Sequence, residues 1–102
     1  MNSELYVKKA ILQLSRKKEK EAVESLNKAI DLADDIVSVT QAYCILGEHY
    51  FIQGNYQEAF SCFSWILDRA EDLEEEFDDL LSEEINRADV LLELMERYSL
   101  HG

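Results

Sequence analysis

The 102-residue chain has no proline and only three glycines, Gly47, Gly54 and Gly102. Sheet-rich folds take their turns from these two residue types, so their scarcity excludes a many-turned β protein and favours helices. Cysteine is nearly as scarce. Cys44 and Cys62 stand eighteen positions apart, without the CxxC spacing of a zinc or redox site. They are expected to be buried free thiols in a reducing compartment. Long apolar runs are missing as well, and nothing approaches the roughly 20 residues that cross a bilayer. Positive charge is in short supply: 10 Lys and Arg face 22 Asp and Glu, a formal net charge of −12. That balance excludes the basic footprint needed for nucleic acid or an anionic membrane surface. The opening Met1-Asn2-Ser3-Glu4 does not resemble a secretory leader, and the expectation is a cytoplasmic protein forming one domain over 1–102.

The charge is unevenly placed. Residues 1–36 carry seven basic and seven acidic side chains, and 37–67 carry only Glu48 and Glu58. Residues 68–102 carry three basic and thirteen acidic ones. An apolar centre and an acidic C-terminal third follow.

Apolar residues recur at helical spacing throughout. A first helix is expected near 3–15 on Val7, Ala10, Ile11 and Leu14, followed by a basic corner, Arg16-Lys17-Lys18-Glu19-Lys20. A second is expected near 20–34 on Ala22, Leu26, Ala29 and Ile30. The third, near 39–53, is expected to start after Ser38, with Gln41 reaching back, and to stop at Gly54. Asn55 followed by Glu58 three residues on should open the fourth, ending near Arg69. In 73–100, Phe77, Leu81, Ile85, Ala88, Leu92, Met95 and Tyr98 form one stripe. The expectation there is one long amphipathic helix, although Ser82 offers a second starting point.

The middle of the chain carries a recognisable pattern. Tyr43-x2-Leu46-Gly47-x2-Tyr50, then Gly54-Asn55-Tyr56 and Ala59-x3-Phe63, resembles a tetratricopeptide repeat over 40–72. Tyr43 stands where Trp is commonest and Glu71 where the closing Pro would fall. Residues 5–36 resemble a degenerate copy, with Val7-x2-Ala10-Ile11-x2-Leu14 and Ala22-x3-Leu26-x2-Ala29 and a turn one residue shorter. Ala22 and Ala59 stand 37 apart rather than 34, which implies about three extra residues near Val37. The resemblance implies an all-α fold of antiparallel helical hairpins. They would stack as a short right-handed superhelix, closed by a long C-terminal capping helix over 73–100.

Chemistry finds little support. His49 and His101 have no nucleophile or metal-ligand set arranged around them, and the acidic run 74–79 lacks the alternation and glycine of a calcium loop. Trp65 is expected packed or half-packed. No enzyme activity, cofactor or metal is expected. The resemblance implies a protein-interaction module whose first helix in each repeat lines a groove for a peptide or amphipathic helix. By pattern its partner-facing residues here are Gln41, Cys44, Glu48, Phe51 and Ile52. Within that class stands a small acidic chaperone of a secretion-type partner. Outside it stands a structural homo-oligomer, built through the last helix.

Overall fold

In the computed structural model, which describes residues 1–100, six helices follow one another. They are α1 (Ser3–Ser15), α2 (Glu19–Leu32), α3 (Ile36–Ile52), α4 (Tyr56–Asp68), α5 (Ala70–Phe77) and α6 (Ser82–Arg97). The chain divides into two compact units, 1–42 and 43–102, with the boundary inside α3. His101 lies outside the described residues.

In the first unit α1 and α2 form an antiparallel hairpin. Asn2 caps α1 by accepting from the Leu5 amide at 2.9 Å. At the open end the buried Ser3 hydroxyl donates to Ala29 O at 2.8 Å, and the Ser3 amide donates to Asp34 Oδ1 at 3.1 Å. Near the turn, Ser25 Oγ donates to Gln13 Oε1 at 2.7 Å. Between these ties Val7, Ala10, Ala22, Leu26 and Ala29 are buried.

In the second unit the rest of α3 meets α4, Tyr43 against Trp65 and Gly47 against Phe63, and α6 packs on α4. Its core is Leu46, Ala59, Cys62, Phe63 and Ile66, joined by Leu73, Leu81, Ile85, Ala88, Leu92 and Met95.

Both hairpins turn the same way. After α3, the Asn55 amide donates to Tyr50 O at 2.9 Å and the Gly54 amide to Phe51 O at 3.1 Å, with Gly54 at φ +79°. This is the paired C-terminal motif that favours glycine, because a left-handed residue must sit at its centre. After α1, the Lys18 amide donates to Gln13 O at 2.8 Å and the Lys17 amide to Leu14 O at 3.0 Å, with Lys17 at φ +59°. The first turn therefore has the length of the second, and the shorter turn expected from the sequence is corrected. Lys17 precedes Gly54 by 37 positions, as Ala22 precedes Ala59. The residues corresponding to Tyr43, Gly47 and Tyr50 at that interval are thus Tyr6, Ala10 and Gln13. Ile11, placed opposite Gly47 by the looser alignment, is half exposed, whereas Ala10 is fully buried.

The extra residues near Val37 are helical. α3 begins at Ile36, three residues before its expected start. Asp35 supplies the reason, since its carboxylate accepts from the Val37 amide at 3.2 Å and from Ser38 Oγ at 2.6 Å. Ser38 is buried inside the first turn and does not cap it. Asn55 does cap α4, accepting from the Glu58 amide at 3.4 Å.

The single helix expected over 73–100 is also corrected. α5 ends at Phe77, Asp78 turns to φ +53° and ψ −123°, and α6 starts at Ser82. An uninterrupted helix would stack Glu74 on Asp78, Glu75 on Asp79 and Asp79 on Glu83, three like-charge pairs four residues apart that the break separates. The break takes Asp78 and Asp79 out of the helix and places Glu83 and Glu84 in the first turn of α6, where the dipole favours them, while Leu81 stays buried.

Candidate functional site

The sequence-derived partner face lies on α3, and the structure sorts its residues unequally. Gln41 is half-buried and belongs to the first unit. Cys44, in the second, is only 2% exposed and offers a partner no surface, so its place in the contact set is withdrawn. An amphipathic period cannot separate a residue facing a partner from one facing the terminal helix of its own chain. Glu48 is half-buried and already engaged: Arg87 Nη1, from α6, donates to its Oε1 at 2.9 Å, and the Cys44 thiol donates to the same oxygen at 3.3 Å. Phe51 is half-buried with its ring edge-on to Tyr56, centroids 5.6 Å apart. Ile52 is 83% exposed, the barest large apolar side chain of the described residues.

Electrostatics at this face follow from burial. Arg87 also donates to Glu83 Oε1 at 2.7 Å, and its hydrogen bond to Glu48 raises the affinity of the guanidinium for its proton. Burial, then the Glu48 charge, pushes the Cys44 thiol far above its ordinary range. Burial, then Glu58, pushes Cys62 up to about 11. Burial likewise raises the Tyr50 hydroxyl. Both cysteines are free.

Thiolate is the reactive species, so iodoacetamide at pH 8.5 should modify Cys62 about 100-fold more slowly in the folded chain than in urea. Cys44 should be slower still, and mass spectrometry after timed quenching reads both. Equal rates in the two states would show the thiols open to solvent. Raised thiol pKa values also set a sign for stability. The contribution from Cys62 is whole below the ordinary value of 9.0 and is lost as pH climbs through about 11.

Sequence reasoning missed two pairings that the register explains. Trp65 stacks on Tyr43, centroids 4.3 Å apart, with the Arg69 guanidinium 4.3 Å from the indole centre and Arg69 Nη1 donating to Trp65 O at 3.1 Å. In the first hairpin Tyr6 and Lys28, each 37 positions earlier, meet with the ammonium 5.8 Å over the ring. The signal was present in the sequence as the shared interval. It is masked by Val7, whose spacing to Ala10, Ile11 and Leu14 also fits the pattern one residue out of step.

Residues 3–36 match the family model described as tetratricopeptide repeat. That third of the chain is similar to a tetratricopeptide repeat. The match falls on the pair read above as the degenerate copy, and it spans α1, α2 and the link into α3. Comparison with curated proteins and with solved structures finds no match. A tetratricopeptide repeat is a protein–protein interaction module, typically without enzymatic activity. Among the described residues no cluster of His, Cys, Asp and Glu could hold a metal ion, and no helix is long and apolar enough to cross a membrane.

Proposed function

We propose that this tetratricopeptide-repeat chain is a non-enzymatic adaptor that binds a peptide or amphipathic helix of a partner protein on the α3 face formed by Glu48, Phe51 and Ile52. The observation that carries this reading is Ile52, an isoleucine left 83% exposed beside a half-buried phenylalanine and a carboxylate one turn earlier. The terminal helix α6 reaches this face at Glu48 through Arg87 but leaves Ile52 bare. The free buried thiols favour a reducing cytoplasm as the setting.

Burial of one isoleucine by a ligand is worth about 1.5–3 kcal/mol, on the order of ten- to a hundredfold in affinity. Ile52→Glu is therefore expected to abolish capture of the partner from native extract without changing the melting temperature. Leu80→Glu, an equally drastic change at an exposed leucine outside this face, should capture as the wild type does. Identical capture by wild type and Ile52→Glu would place the partner elsewhere.

A further inference from the structure

The two hairpin turns are built alike, and they differ in one respect that local stability does not explain. At the second turn the left-handed position holds Gly54 and the capping position holds Asn55, whose side chain accepts from the helix. At the first, the same two positions hold Lys17 and Lys18; Lys17 takes the left-handed conformation with a full side chain, and Lys18 makes no capping hydrogen bond. Local rules broken at one of two equivalent places point to a function there.

A cleft of about 340 Å³ opens beside this turn, lined by Lys9, Leu12, Gln13, Arg16, Lys18 and Glu21. Three of its six residues are cations against the single anion Glu21, and none of the three cations makes an ion pair among the described residues. In a chain with more than twice as many acidic as basic groups, three unpaired cations around one hollow are conspicuous. Leu12, half exposed, gives the hollow an apolar wall.

We infer that this cleft is a second docking site, separate from the α3 face, for an acidic segment of a partner protein. The charges fit carboxylates carried on a peptide, and Leu12 fits an apolar side chain among them, a combination that a small inorganic anion does not supply. The cleft lies near the lower end of ligand-site volumes, so it takes a short stretch of chain and not a whole helix.

The end-blocked peptide Glu-Glu-Leu-Glu-Glu, titrated into isotope-labelled protein at low salt, tests the assignment by amide chemical shifts. Shifts should concentrate in residues 9–21, and the affinity should fall as salt rises. In the triple variant Lys9→Gln, Arg16→Gln, Lys18→Asn the affinity should drop at least tenfold. The last change installs the capping residue of the second turn, so loss of fold does not confuse the result. Absence of binding, shifts centred elsewhere, or equal affinity in the variant would overturn the inference. So would inorganic phosphate or a uridine oligonucleotide binding the cleft as tightly as the peptide. Self-association that disappears in the variant would overturn it as well, by making a second copy the occupant.

Discussion

Gly47→Leu is expected to destabilise the chain by about 3 kcal/mol, the upper part of the overpacking range. Even a single Cβ on Gly47 would stand 2.5 Å from Phe63 Cε1 and 2.7 Å from Cζ, and Phe63 is fully buried with nowhere to retreat. A small domain has on the order of 5–15 kcal/mol in total, so the melting temperature should fall by well over 10 °C. The first hairpin shows how the conflict is avoided. There the position of Gly47 is Ala10 and that of Phe63 is Leu26, both buried: a larger residue on one helix faces a smaller one on the other. Gly47→Ala and Phe63→Leu, each harmful alone, should therefore be far less than additive together, with a coupling energy of about 1–3 kcal/mol in urea denaturation. Additivity within about 0.5 kcal/mol would mean that the two residues do not share a space.

Leu81→Ala should cost about 2–5 kcal/mol, while Leu80→Ala, one residue earlier, should stay within about 0.5 kcal/mol of the wild type. Leu81 is 1% exposed and Leu80 is 62% exposed, and both lie in the turn between α5 and α6. The contrast tests the burial of Leu81 within the turn, where the apolar stripe runs on from α5 into α6. Thermal melts of the two variants decide it; similar losses would mean that Leu81 is not buried there.

The sequence made the helical class, Gly54 as a helix stop and Asn55 as a cap legible, because each is set by local stereochemistry. The break at Asp78 escaped because the apolar stripe runs on through it in register. The stripe records which residues face inward; the repulsion among Glu74, Glu75, Glu76, Asp78 and Asp79 records where the backbone must yield. The start of α3 escaped for a related reason. Ser38 and Asp35 are both good capping residues, and only the hydrogen bond between them shows which one holds the other. The α3 face was legible as an amphipathic stripe but not as a surface. Arg87, thirty-nine positions from Glu48, reaches it through tertiary packing that no local pattern announces.

The sandwich of Tyr43, Trp65 and Arg69 also has an optical consequence. Trp65 is the chain's only tryptophan, and it reports on α3 and α4 within the second unit. Its emission depends on a neighbouring ring and a guanidinium that leave when that hairpin opens, whereas far-ultraviolet dichroism sums all six helices. The ratio of the two signals through a denaturant series thus measures whether the matched repeat at 3–36 melts together with its neighbour or on its own.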